Sequence, residues 1–218
     1  MSDTKRFLAT VRRHADRAVY DRSTIHRILD DALYCTVGFV ADGMPFVIPT
    51  IHARVGDTLY LHGSRANRML RTLAAGADAC VSATVVDQLV MGRSVFSHSL
   101  NYRSAVVFGR ARPVEEPGEK LAAFEALAEH VVPGRAREVR PPGERELAAT
   151  SLLALPISEA SAKVRTGPPN DKEDDLDRRV WAGVVPLHLV PGEPAADGRV
   201  AAGVPVPDYV TSYRRGVG

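Results

Sequence analysis

The chain has 218 residues, of which 45% are hydrophobic and 25% charged, with a formal net charge of +2. This length and apolar content suffice for one sizeable folded domain and exclude a disordered polyelectrolyte. The near-balanced charge gives no field favouring nucleic acid or an anionic lipid surface. No apolar run approaches the ~20 residues of a membrane span, and the polar N-terminus lacks a signal core, so a cytoplasmic protein is the expectation.

Residues 1–20 read as an arm ahead of the core. Ser23 then opens a short amphipathic helix in which Ile25, Ile28, Leu29 and Ala32 share a face. The stretch "YCTVGFVADGMPFVIPTIHARVGDTLYLHG" follows. Its β-branched runs flank a hairpin signal at Asp42-Gly43 and a second turn at Gly56-Asp57, which predicts three antiparallel strands in meander order. The segment "LHGSRANRMLRTLAAG", Leu61 to Gly76, begins as a strand and ends as a helix of about three turns stopped by Gly76. "DACVSATVVDQLVM" returns to strand character. A polar segment, "SVFSHSLNYRS", precedes the strand "AVVFGRARPV". Pro117 to Val131 reads as a helix with Leu121, Phe124, Leu127 and Ala128 on its apolar stripe. The run from Val132 to Glu144 is a loop, "SLLALPIS" and "ASAKVRT" are strands, and "GPPNDKEDDLDRR" is a charged loop. "VWAGVVPLHLV" is a last strand before an irregular Pro/Gly-rich tail from Pro191. Strands dominate and β-α-β-α alternation is missing. The fold class is therefore mainly β, a small barrel with inserted helices rather than a doubly wound sheet.

Common catalytic signatures are absent. There is no GxSxG elbow, no Walker loop, no GxGxxG after a strand and no HExxH pattern. The two cysteines, Cys35 and Cys80, lie in apolar strand-like runs with no CxxC spacing, which gives no metal site and reads as small core residues. Two local clusters remain. In the first, Gly63 permits close backbone approach, and Ser64 can cap the helix. The first-turn amides favour an anion, and Arg68 and Arg71 lie at helical spacing from Ser64 while Met69, Leu70 and Leu73 turn to the core. Guanidinium groups bind phosphate through paired donors. The residues alone leave open both a phosphate site and a capped helix with a charged outer face. The second cluster is "SHSLNYRSAVVFG", which gathers Ser97, His98, Ser99, Asn101, Tyr102, Arg103 and Ser104 at a strand mouth, more hydrogen-bonding chemistry than a plain loop needs.

Taken together, "DGMPFVIPT", "LYLHGSRANRML" and "HSLNYRSAVVFGRARPV" resemble the flavin-nucleotide-binding, nitroimidazole-resistance branch of the pyridoxamine 5'-phosphate oxidase-like superfamily. "ASAKVRTGPP" and "VWAGVVPL" are similar to its C-terminal segments. The resemblance runs from about Asp21 to Leu189. It implies a six-stranded FMN-binding split β-barrel over 21–190, with an arm at 1–20, a tail at 191–218, and a homodimer holding FMN in a cleft between subunits. By similarity, His62, Gly63, Ser64 and Arg68 would hold the FMN phosphate, and Ile48, Pro49 and Thr50 would lie along the flavin ring. Asn101, Arg103 and Ser104 would add polar contacts, and Trp181 would pack near the ring. The arginine- and histidine-bearing C-terminal segment of true pyridoxamine phosphate oxidases has no match in "DYVTSYRRGVG", so vitamin B6 oxidation is not implied. The expected function is an FMN-dependent oxidoreductase acting on a small molecule, in which the flavin carries the chemistry and no catalytic acid or base is obligatory. The alternative is a non-enzymatic flavin- or haem-binding module, with His52, His62 or His98 as an axial ligand.

Overall fold

The computed structural model describes residues 8–215; the first seven residues of the expected arm and the last three of the tail lie outside the described residues. Strand β1 (Ala18–Val19) already belongs to the sheet, pairing with a late strand, so the arm is stitched to the core before the first helix. Helix α1 (Arg22–Asp31) starts one residue before Ser23. Its cap is Asp21, whose carboxylate accepts from the Thr24 N–H at 2.8 Å and from the Ser23 hydroxyl at 2.7 Å. Ile25, Ile28 and Leu29 are buried as their spacing predicts.

Strands β2 (Cys35–Ala41) and β3 (Met44–Thr50) form the expected hairpin, with Asp42 and Gly43 both at positive φ, 50° and 74°. The meander stops there. Strand β4 (His52–Val55) pairs with β5 (Thr58–Ser64) and not with β3, so the chain changes sheets at Ile51. Helix α2 (Arg68–Ala74) is about two turns long, shorter than the spacing suggested. Long strands β6 (Asp78–Met91) and β7 (Ser99–Arg110) pair over nearly their whole length, and a bulge between Val86 and Gln88 leaves Asp87 unpaired. The polar run from Ser99 to Ser104 is therefore inside a strand, not at its mouth. After β8 (Arg112–Pro113) come α3 (Pro117–Val131), as expected, and α4 (Glu144–Ala149), a helix that begins at the last residue of the expected loop and for which the sequence pattern predicts no element. Strands β9 (Thr150–Pro156), β10 (Glu159–Arg165) and β11 (Gly183–Pro186) and the short α5 (Asp208–Thr211) complete the order.

Two antiparallel sheets result. One runs β1-β10-β7-β6-β2-β3 with β11 added on β6; the other runs β4-β5-β9-β8. Both contribute to one core: Val37, Leu59, Leu61, Val81, Val107, Leu153 and Leu155 are all fully buried. This is the β-rich split barrel that the resemblance implies, although its strands divide into sheets of seven and four rather than a plain six. The smaller sheet is covered on both faces. Leu59, Leu61, Leu153 and Leu155 face the barrel core, while Tyr60, Leu152 and Ala154 face Ala123 and Leu127 of α3. That double covering explains the unbroken apolar run "LLAL" in β9, since alternation is not needed where neither face meets water.

Candidate functional site

The junction between β5 and α2 is built by close packing. At Gly63 a Cβ would stand 3.1 Å from Leu70 Cδ1, so glycine lets α2 fold back onto the end of its own strand. The Ser64 hydroxyl accepts from the Ala66 N–H at 3.2 Å, and the Ser64 carbonyl accepts from the Asn67 N–H at 2.9 Å, closing a tight turn. The helix cap is Asn67, not Ser64: its side-chain oxygen accepts from the Leu70 N–H at 3.3 Å. Asparagine just before an apolar-periodic run is a signal the sequence carried. Met69, Leu70 and Leu73 are buried.

Arg65, Arg68 and Arg71 are left on the outside, and among the described residues none of them pairs with a carboxylate. Arg68 instead lies flat on Phe46, with Cζ 4.2 Å from the ring centroid, and Phe46 stacks on Phe39 at 5.4 Å. Arg68 is thereby held against β3, the strand that carries Ile48, Pro49 and Thr50. β3 is an edge strand, and Ile48 and Pro49 are exposed while Thr50 is half-buried. The structure thus sets Arg68 on Phe46 of β3, two residues before Ile48, with Gly63 and Ser64 in the turn that leads into α2. Phe46, which links Arg68 to β3, was missed because nothing local pairs the two. Phe46 also lines, with Phe39, Pro45, Ala77, Cys80 and Phe108, an open hollow of about 840 Å³.

His62 is half-buried and faces α3, its ring edge-on to Phe124 at 6.1 Å between centroids. Its Nδ1 is enclosed with no hydrogen-bond partner, and burial lowers its pKa. His52 is wholly enclosed. Its Nε2 lies 2.8 Å from the Leu29 carbonyl and its ring 4.5 Å from that of His130. Burial, His52 and the Arg215 guanidinium together push the His130 pKa down to about 4. His98 is exposed on the β6–β7 connection, with Nδ1 2.9 Å from the Ser94 carbonyl.

The strand cluster is occupied by its own partners. Asn101, 1% exposed, donates to Gln88 Oε1 at 2.6 Å and to the Gly167 carbonyl at 3.0 Å, and its oxygen accepts from Arg165. Arg103 donates to Asp87 at 2.9 Å through Nη2 and to Asp31 through Nη1; the Asp87 hydrogen bond is the largest cause of its raised pKa. The bulge at Asp87 is what turns that carboxylate toward Arg103. Ser104 donates to the Lys163 carbonyl at 3.4 Å. Among the described residues no hydrogen bond or ion pair joins these three to the β5–α2 junction. Trp181 sits just before β11, 64% exposed, its ring against Gly183, where a Cβ would come within 2.9 Å.

The junction fits an anion on the chemistry of its donors: three exposed guanidinium groups with no neutralising carboxylate among the described residues. The Asn101–Arg103–Ser104 cluster does not offer the same, since its donors are taken. A neutral imidazole suits a haem iron. His98, exposed and with its Nδ1 engaged by the Ser94 carbonyl, turns its other nitrogen outward, whereas the partnerless Nδ1 of His62 is enclosed and meets no ligand without movement. His52 has its Nε2 at the Leu29 carbonyl and an Nδ1 that is likewise enclosed without a partner, so it too presents no accessible nitrogen.

The family model described as pyridoxamine 5'-phosphate oxidase matches residues 21–164. No curated protein matches. The flavocytochrome Anf3 from Azotobacter vinelandii is similar at 37% identity, with 94% of this chain and 96% of that one covered and a TM-score of 0.86. The FAD and heme binding protein from Mycobacterium smegmatis is similar at 39% identity, covering 91% and 98% of the two chains with a TM-score of 0.85. A putative 5-nitroimidazole antibiotic resistance protein from Bacteroides thetaiotaomicron shares 23% identity over 67% of this chain and 86% of its own, with a TM-score of 0.58. The resemblance to the nitroimidazole-resistance branch therefore holds for the fold alone, and the nearer likeness is to proteins named for flavin and haem.

Proposed function

This chain belongs to the pyridoxamine 5'-phosphate oxidase family, and from that premise we propose that it is a flavin-nucleotide-binding protein that also takes up haem, a two-cofactor redox module. The observation that carries the reading is the likeness, over nine-tenths of the chain, to a flavocytochrome and to a FAD and heme binding protein. The β5–α2 junction supports the flavin half. Ser64, Arg68 and Arg71 offer uncompensated donors to a phosphate or pyrophosphate, and β3 offers an apolar edge to the ring. The flavin would supply hydride and single-electron chemistry. The chain's own task is to bind, to orient and to keep water from the ring.

A second copy of the chain is part of the proposal. Met44, Val47, Ile48 and Ile51 are exposed along the β3 edge, and Val185, Leu187 and Leu189 at β11 and beyond. Apolar surface of this kind is what subunit contacts cover, and an edge strand left open invites association. The site would then be finished by residues of the other subunit.

The test is the spectrum and content of the purified protein, supplemented with FAD, FMN and haemin in turn. Flavin absorption together with a Soret band, and released FAD rather than FMN, are the expected outcome. Flavin absorption without haem uptake would return the assignment to an FMN- or FAD-only oxidoreductase acting on a small molecule. A protein that takes up neither would end the proposal.

A further inference from the structure

The connection between β6 and β7 is a rigid turn. At Gly92 a Cβ would fall 2.3 Å from the Ser97 Cβ and 2.7 Å from Asp171 Oδ1, so the backbone closes there because the residue is glycine. The Arg93 N–H donates to Asp171 Oδ1 at 2.8 Å, and Arg93 Nη1 meets Asp171 Oδ2 at 2.9 Å, with the Asp171 side chain only 3% exposed. The Ser94 and Ser97 hydroxyls share a hydrogen bond at 3.0 Å.

What this braced turn displays is apolar. Val95 is 94% exposed and Phe96 89% exposed. Below them Leu100, Leu89 and Val185 lie opposite one another on adjacent strands, each about 40% exposed. A single exposed apolar residue needs no explanation, but a fixed turn that presents two of them beside an apolar strand face does.

Two polar groups flank the apolar tip. The His98 ring turns back so that Nδ1 lies 2.9 Å from the Ser94 carbonyl. A carbonyl can only accept, so Nδ1 carries the proton and Nε2 keeps its lone pair toward the outside. That is the tautomer and the backbone support typical of metal-ligating imidazoles. Lys172 places Nζ 5.9 Å from the Phe96 ring centroid and pairs with no carboxylate among the described residues.

We infer that the turn Gly92–His98 is the haem contact of this chain, with His98 Nε2 as an axial ligand, Val95 and Phe96 against the porphyrin face and Lys172 paired with a propionate. This rests on the flavin–haem reading above. The match is chemical: haem is a flat apolar ring with an iron that takes imidazole and two carboxylates at one edge. The other two candidates fit less well. His52 is enclosed with its Nε2 at the Leu29 carbonyl. His62 has a buried Nδ1 with no partner to fix its tautomer.

The experiment titrates haemin into wild type, His98→Ala, His62→Ala and Phe96→Ser, reading the Soret and visible bands, with FAD binding measured in parallel as a check on folding. His98→Ala should shift the Soret band and weaken haem binding at least tenfold, and added free imidazole should restore the wild-type band. Phe96→Ser should weaken binding without moving the band, and FAD binding should be unchanged in His98→Ala and Phe96→Ser. If His98→Ala keeps the wild-type band and affinity while wild type binds haem, the ligand lies elsewhere and this inference fails alone. Loss of the band in His62→Ala but not in His98→Ala has the same meaning and names the true ligand. If wild type takes up no haem, the inference falls together with the haem half of the proposed function.

Discussion

Replacing Arg68 with alanine tests the β5–α2 junction most directly. The side chain is exposed, carries no ion pair among the described residues and lies 4.2 Å from the Phe46 ring centroid, so its loss leaves no buried charge and no core cavity. Its value to an anionic ligand follows from general magnitudes. A charge-assisted hydrogen bond contributes about 1.5–3 kcal/mol, and ~1.4 kcal/mol is a factor of ten in affinity. Arg68→Ala should therefore weaken flavin-nucleotide binding by about ten- to a hundred-fold. Phe46→Leu keeps the charge but removes the aromatic platform, worth about 0.5–1 kcal/mol at an exposed site, and should cost about two- to five-fold. Arg68→Lys should fall between them, since a lysine keeps the charge but not the planar pair of donors. The assay is quenching of flavin fluorescence on titration of apoprotein with FAD, FMN and riboflavin. Riboflavin lacks phosphate and should bind wild type and Arg68→Ala equally. If Arg68→Ala binds all three flavins as wild type does, or loses riboflavin to the same degree, the guanidinium does not meet the phosphate and Arg68 belongs to a solvated helix face.

Asn67→Ala removes the cap of α2 and should lower stability by about 1 kcal/mol, seen as an earlier urea midpoint at unchanged slope. His130 is held neutral, with its pKa down from 6.5 to about 4. The unfolded chain then takes up a proton that the folded one refuses as pH falls from 6.5 toward 4, so stability drops over that window and levels below it. Partial exposure reduces the ideal figure to on the order of 1–2 kcal/mol, and His130→Asn should flatten that part of the pH profile in chemical denaturation. Arg103→Met strands the Asp87 and Asp31 carboxylates and should cost about 2–3 kcal/mol in unfolding free energy, while flavin affinity in the folded protein stays at its wild-type value.

Elements whose signals are local were legible in the sequence. Asp42-Gly43 fixes its hairpin because both residues take positive φ, and Pro117 starts α3 because its ring suits a first helical turn. The change of sheet at Ile51 was not legible. Nothing between Met44 and Val55 distinguishes a strand that continues its meander from one that leaves it, since only the β4–β5–β9 pairing, made by residues far along the chain, decides. The short α4 was hidden for a related reason: its first turn is held by Glu146 reaching back to the Gly143 N–H at 2.7 Å, and Arg140 braces that carboxylate from outside the helix.

The same limit separates the two polar clusters. Both are candidates along the chain, because a sequence shows which donors exist and not which are already used. In the fold, Arg103 meets two carboxylates and Asn101 is satisfied on both sides, so binding an anion there would first require breaking partly buried ion pairs. Arg65, Arg68 and Arg71 have no such partners among the described residues. The helix beneath them is held by Asn67 and by Met69, Leu70 and Leu73, none of which depends on the arginines. A cationic face that the fold does not need for its own stability is free to be spent on a ligand. That argues for the β5–α2 junction over the β7 strand as the phosphate site in the proposed flavin-nucleotide-binding function.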